Sequence, residues 1–251
     1  MNLSGKKNAL VTGVSRRAGI GFAIVRRLQE AGATVFVQGW TPHDAAQAWG
    51  AEPGGTAGVA GELGVEHIEA DFADAAAPAR VVAAARAALG PLDILVVNHA
   101  RSGSGRLGEL TAEQLDAFLH ENVRASILLV KEFAAQHEGN AGRVVLMTSG
   151  VHKEPMTGEL GYAVSKGALL VATSTLADEL ADQSITVNCV NPGPTDTGWG
   201  LAEIDPAGRM PTGRWGEPDD AARLIAWLCS DDARWLTGQV IDSEGGFRRS
   251  S

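Results

Sequence analysis

Seven short apolar runs separated by helix-length segments constrain this 251-residue chain more than any other feature. They are Ala9-Leu10-Val11, Thr34-Val35-Phe36-Val37, His67-Ile68-Glu69-Ala70, Ile94-Leu95-Val96-Val97, Arg143 to Met147, Ile185 to Val190 and Gln239-Val240-Ile241. Most hold two or more adjacent hydrophobes without polar alternation, as strands do when both faces of their sheet are covered. Between them, Pro42 follows Thr41 as a cap and first-turn pair. Thr111 and Gln114 form a capping box that opens an amphipathic helix running to about His137. Gly50 to Gly64 reads as a Gly/Ala-rich loop, too short for a linker. This repetition predicts an α/β, Rossmann-like, doubly wound parallel sheet of about seven strands flanked by helices. With no internal repeat and no boundary, residues 1–251 read as a single domain.

Composition narrows the partners. A hydrophobic content of 45% supplies a large core, and the net charge of −9 comes with lysines and arginines scattered rather than clustered. That argues against nucleic acid. Cys189 and Cys229 have neither disulfide-framework nor metal-ligand spacing, which suggests a reduced compartment and no metal. Met1 to Lys7 lacks the apolar stretch of a signal peptide, and no segment approaches about 18 consecutive apolar residues. A cytoplasmic protein with no membrane partner is expected.

The first run leads directly into Thr12-Gly13-Val14-Ser15-Arg16-Arg17-Ala18-Gly19-Ile20-Gly21, followed by a helix carrying Ile24, Val25 and Leu28. Glycines between a first strand and a first helix let the backbone approach a pyrophosphate, which the helix N-terminus stabilises. An NAD site usually places an acid at the end of the second strand to hold the ribose 2′-hydroxyl. Here that place reads Gln38-Gly39-Trp40-Thr41. Arg16 and Arg17 are set to meet a 2′-phosphate, or else form a solvated loop tip. NADP(H) is the expected cofactor, with Asp44 the feature that weakens the argument. Asp71 suits either the adenine amino group or a turn cap.

The chain has one tyrosine, in Tyr162-Ala-Val-Ser-Lys166. On a helix, residues i and i+4 share a face, and an ammonium beside a phenol lowers a pKa that starts near about 10. A half-buried tyrosine with a surface lysine one turn on has the same spacing. Ser149 lies thirteen residues upstream, Asn122 sits inside the long helix, and Asn191-Pro192-Gly193-Pro194-Thr195-Asp196-Thr197 follows the sixth run. With these residues the chain resembles the short-chain dehydrogenase/reductases, of the type that includes 3-oxoacyl-carrier-protein reductases, over essentially its whole length to Thr237-Gly238-Gln239 and Gly245-Gly246.

The resemblance implies that Tyr162 is the general acid in carbonyl reduction and the base in alcohol oxidation. Lys166 would hold the nicotinamide ribose and stabilise the phenolate, Ser149 would bond the substrate oxygen, and Asn122 would hold a relay water. It also places the cofactor against Gly13, Ser15, Arg16, Arg17, Gly19, Ile20, Trp40, Thr41, Asp71, Phe72, Asn98, His99, Ala100, Tyr162, Lys166, Pro192, Gly193, Thr195 and Thr197. The substrate would meet Val151, Met156, Pro194 and Trp199. Relatives of this type are commonly homotetramers, and a homotetramer or homodimer is expected, with Val123, Leu128, Leu129 and Phe133 as candidate interface residues whose default place is the core.

Three departures bear on function. The glycine loop is longer than the family's usual pattern, which displaces Arg16 and Arg17. The family's Asn-Asn-Ala-Gly appears as Val97-Asn98-His99-Ala100, so that His99 either bonds the cofactor or fills space, the structural role being favoured. The basic residues that greet an acidic carrier protein are replaced by Gln136-His137-Glu138 and by Asp178-Glu179-Leu180-Ala181-Asp182-Gln183. A carrier is therefore disfavoured. The expected activity is NADPH-dependent reduction of a free hydrophobic ketone, such as a cyclic or aromatic polyketide. Trp199, Leu201, Ile204, Met210 and Trp215 of the lid are its candidate walls, or else pack the lid or an interface. Fatty-acid 3-oxoacyl reduction is the alternative. Enoyl reduction and a non-catalytic nucleotide sensor rank lower.

Overall fold

All seven runs are strands: β1 (Lys7–Thr12), β2 (Ala33–Gly39), β3 (Glu66–Glu69), β4 (Ile94–Val97), β5 (Gly142–Met147), β6 (Ile185–Asn191) and β7 (Val240–Asp242). The computed structural model describes Leu3 and residues 5–138, 141–198, 201 and 204–249. The strands form one parallel sheet in the order β3-β2-β1-β4-β5-β6-β7. Among the described residues eight α-helices accompany it: α1 (Ile20–Glu30), α2 (Thr41–Ala45), α3 (Gly55–Leu63), α4 (Ala77–Leu89), α5 (Ala112–Phe118), α6 (Ala125–Gln136), α7 (Leu160–Glu179) and α8 (Pro218–Leu228).

The absence of polar alternation has its expected cause. Ala9, Val11, Val35, Val37 and Val145 point into a core shared with α1, α3 and α8, while Leu10, Phe36, Val144 and Leu146 point into the opposite core with α4 and α6. Successive side chains thus enter two different cores, so the central strands carry adjacent apolar residues without alternation.

Two local expectations are corrected. Residues 50–64 contain the helix α3 instead of forming a loop throughout. Its buried Thr56, Val59, Ala60 and Leu63 follow helical spacing, and left-handed glycines at Gly54 and Gly64 bound it. So few large residues hid that period. Thr41 is the first residue of α2, and Trp40 holds the cap position. The Thr41 hydroxyl instead accepts from the Thr56 N–H at 2.9 Å and donates to Glu69.

The capping box at Thr111 and Gln114 is present, with both reciprocal bonds. Beyond α5 the helical run widens to a π-type turn over Leu119–Arg124 before continuing as α6. Asn122 sits in that turn, fully buried. Leu129 and Phe133 lie in the core beside α4, which removes them from the candidate interface residues. α7 is long and apolar enough to span a membrane by length and composition. Here it packs against β5 and β6 and carries Tyr162 and Lys166.

Candidate active site

Strand order reverses direction between β1 and β4, and a crevice opens there beyond the carboxyl ends of the strands. It is a cleft of about 600 Å³ running from Trp40 and His43 at one end to Tyr162, Met156 and Phe247 at the other.

At the β1–α1 turn, Gly13 has φ +71°, and a Cβ there would lie 2.7 Å from His99 Cα. A Cβ on Gly21 would meet the Gly13 carbonyl oxygen at 2.6 Å. Asn98 clamps this turn, donating from Nδ2 to the carbonyls of Thr12 and Gly13 at 3.0 Å each. α1 then starts behind Gly19 with no side-chain cap and no acid in its first turn. Its unbonded N–H groups and positive dipole end are left for an anion. This cradle fits a dinucleotide pyrophosphate, because backbone comes close where any side chain would intrude.

Ser15, Arg16, Gly19, Ile20, Trp40, Asp71, Phe72, Asn98, His99 and Ala100 line the cleft as expected, as do Pro192, Gly193, Pro194, Thr195 and Thr197. Arg16 lies 4.7 Å above the Trp49 ring and donates to the Thr197 carbonyl at 2.6 Å, spanning the cleft. Arg17 does not face it. Glu52 at 2.7 Å and Glu62 at 2.6 Å hold its guanidinium outside. Thr41 is likewise absent from the lining, bonded instead to Thr56 and Glu69. Asp71 lines the cleft and also caps its turn, accepting from Ala73 N–H at 2.8 Å.

His99 is a structural residue. Its Nε2 lies 3.0 Å from the Glu121 carbonyl oxygen, which accepts only, so Nε2 carries the proton. Nδ1 then accepts from the Thr12 hydroxyl at 2.8 Å. Burial and the charge of Lys166 push the imidazole down to about 3, keeping it neutral. The ring, tilted against Phe72 with centroids 4.2 Å apart, ties the β1 and β4 ends to the π-type turn.

At the other end, Ser149 follows β5, and Tyr162 and Lys166 project from α7 into the same cleft. Ser149 Oγ lies 3.4 Å from Met156 Sδ. The Lys166 ammonium is buried, donates to the Met147 carbonyl at 2.9 Å, and sits 5.8 Å from the centroid of the Tyr162 ring. Asn122 stands behind them, outside the lining. It accepts from the Arg101 N–H at 2.7 Å and donates to the Arg101 carbonyl at 2.9 Å and to Ser165 Oγ at 2.9 Å. Val151 faces a neighbouring groove, with Met156 shared between the two. Trp199 lies outside the described residues.

The electrostatics correct one expectation. In the protein by itself, Lys166 does not depress the phenol: burial pushes Tyr162 up to about 12, with Glu159 adding to the rise and the Ser149 hydroxyl opposing it. Burial also brings Lys166 down to about 8. Desolvation acts on both members of the pair, and the ammonium is aimed at the Met147 carbonyl rather than the phenol. The phenol is thus stored as a protonated donor.

Several lining residues carried no local motif. Glu154, Glu159, Glu244, Phe247 and Arg249 surround the catalytic end. The tail beyond β7 reaches it because Gly193 allows close approach: a Cβ there would lie 2.7 Å from Glu244 Cα. Arg249 then pairs with Glu244 and, at 3.4 Å, with Glu154.

The family model described as enoyl-(acyl carrier protein) reductase matches residues 13–248. The Bacillus subtilis oxidoreductase YjdA is 42% identical, the alignment covering 99% of this chain and 100% of that one. Versicolorin reductase 1 of Aspergillus parasiticus is 33% identical over 97% of both chains. A blue fluorescent protein from a metagenomic library, solved in complex with NADPH, superposes with TM-score 0.85 at 34% identity, covering 98% of this chain and 99% of that one. The chain belongs to the short-chain dehydrogenase/reductase family, and is an oxidoreductase of that family by its fold and by the Ser149–Tyr162–Lys166 constellation.

Proposed function

We propose that this protein is an NADPH-dependent ketoreductase that acts on a free, hydrophobic carbonyl compound such as a cyclic or aromatic polyketide. The observation that carries the reading is the placement of Ser149, Tyr162 and Lys166 at one end of a single cleft whose other end is the glycine cradle. The bound cofactor supplies the hydride. Tyr162, held protonated by burial, gives its proton to the carbonyl oxygen, while Ser149 donates to the same atom as negative charge develops. Lys166 places a fixed positive charge behind the phenol.

NADP(H) over NAD(H) is supported by Arg16 in the lining, by the lack of an acid at the end of β2, and by the NADPH held by the metagenomic neighbour. Arg17 contributes no part of that argument. Asp44, buried and bonded to Trp49 Nε1 at 3.2 Å, is a lining carboxylate near this end, as is Asp71. A polyketide substrate is supported by the likeness to versicolorin reductase 1 and by apolar Met156, Leu201 and Phe247 around the catalytic end.

The second reading is 3-oxoacyl-carrier-protein reduction, which shares with the matching enoyl-(acyl carrier protein) reductase family a carrier-bound acyl substrate. Exposed Asp178, Glu179 and Asp182 at the end of α7 oppose it, since a carrier of acidic surface meets like charge there. Assembly as a homotetramer, or a homodimer, accords with exposed Val164 and Val171 on α7 and Ile127 on α6. Cytoplasmic residence accords with the two buried free thiols. A panel of lipophilic cyclic ketones and carrier-bound or thioester 3-oxoacyl compounds, followed by NADPH oxidation, tests the substrate reading. Faster turnover of the carrier-bound thioesters overturns it.

A further inference from the structure

Most charged side chains at the catalytic end are held in ion pairs or hydrogen bonds. Arg101 holds Glu121 at 2.7 Å, Arg249 holds Glu154 and Glu244, and Lys166 donates to Met147. Glu159 lines the same cleft and has no side-chain hydrogen bond or ion pair among the described residues.

Glu159 is the N-cap residue of the 20-residue α7 and makes no cap bond. The side chain is half-buried beside Tyr162, and burial is what pushes its carboxyl up. Partly desolvated beside the proton donor and bonded to no protein group, this carboxylate is placed to accept a hydrogen bond from a ligand in the cleft.

We propose that Glu159 is a specificity-determining residue that accepts a hydrogen bond from a hydroxyl of the substrate, so that the enzyme selects hydroxylated ketones over their unhydroxylated or O-alkylated counterparts. This rests on the ketoreductase reading and narrows its substrate class. A ketone with no donor would cover the carboxylate and leave it unsatisfied, which disfavours its binding. A neutral hydroxyl satisfies the carboxylate without adding a further charge to an end of the cleft that already holds Lys166, Arg249, Glu154 and Glu244.

The test compares two cyclic ketones that differ only in a ring hydroxyl or its methyl ether, in the wild type, Glu159→Gln and Glu159→Ala. The wild type is expected to prefer the hydroxyketone in kcat/KM by about tenfold or more, expressed mainly in KM because the contact lies away from the reacting carbon. Glu159→Ala removes the preference, and Glu159→Gln, which keeps an acceptor oxygen, retains part of it. Tyr162 gives an independent readout as the only tyrosine: removing the Glu159 charge moves its phenolate titration to lower pH. Equal turnover of both ketones by the wild type overturns the inference and leaves the ketoreductase reading intact. So does a preference that survives in Glu159→Ala. Stronger selection of an amino ketone, lost in Glu159→Gln, overturns the neutral-hydroxyl assignment. Reduction of neither ketone overturns both readings together.

Discussion

His99 makes stability depend on pH in a way the structure quantifies. Its imidazole, half-buried and bonded to Thr12 and Glu121, is held at about 3, against an unfolded value of 6.5. The folded value lies below the unfolded one, so at intermediate pH the unfolded chain binds the extra proton. Stability is therefore complete above about 6.5 and is lost progressively as pH falls towards about 3. At about 1.4 kcal/mol per unit, that span corresponds to roughly 5 kcal/mol, of which about 2 kcal/mol falls between pH 7 and 5. The perturbation is His99→Asn, which keeps polar atoms in the space and removes the titration. Loss of one or both ring hydrogen bonds lowers its stability at pH 7 by about 1–3 kcal/mol. Urea unfolding at pH 7 and at pH 5 gives the slope for each protein. The wild type is expected to lose about 2 kcal/mol more than the variant over that interval. Equal pH slopes would refute the neutral imidazole and, with it, the tie between the β4 end and the π-type turn.

Two further outcomes follow from named contacts. Because Tyr162 is the sole tyrosine, near-ultraviolet phenolate absorbance reads it alone; its midpoint is expected near 12 in the protein without cofactor, and a midpoint at or below about 10 contradicts burial as the dominant cause. Gly13→Ala puts a side chain at φ +71° and 2.7 Å from His99 Cα, so it is expected to lower stability by about 2 kcal/mol in urea unfolding and to weaken NADPH binding in a fluorescence titration; unchanged affinity contradicts the cradle.

The parallel sheet was legible because its signal is local and redundant: each central strand must be apolar on both faces, and each of the seven runs became a strand. The candidate catalytic residues were legible because Tyr162 and Lys166 sit one turn apart on one helix, and Ser149 follows β5, against which that helix packs. What sequence could not supply was direction. Arg16 and Arg17 are neighbours, yet one faces the cleft and the other is drawn away by Glu52 and Glu62, both brought there by the α3 region that reads as a loop. Likewise i,i+4 spacing places Lys166 beside Tyr162, but only the fold aims its ammonium at the Met147 carbonyl. Glu244, Phe247 and Arg249 reach the site through the return of the C-terminal tail, a long-range contact with no local pattern.

The central claim is that Tyr162 donates the proton in a hydride transfer from NADPH to a ketone. Its most direct measurement is the rate of NADPH oxidation by the wild type and by Tyr162→Phe with one lipophilic cyclic ketone under saturating cofactor. The account predicts turnover by the wild type and a fall of about 10²–10⁴-fold in kcat for the variant, with its fold and NADPH affinity retained. A variant that reduces the ketone as fast as the wild type would contradict it.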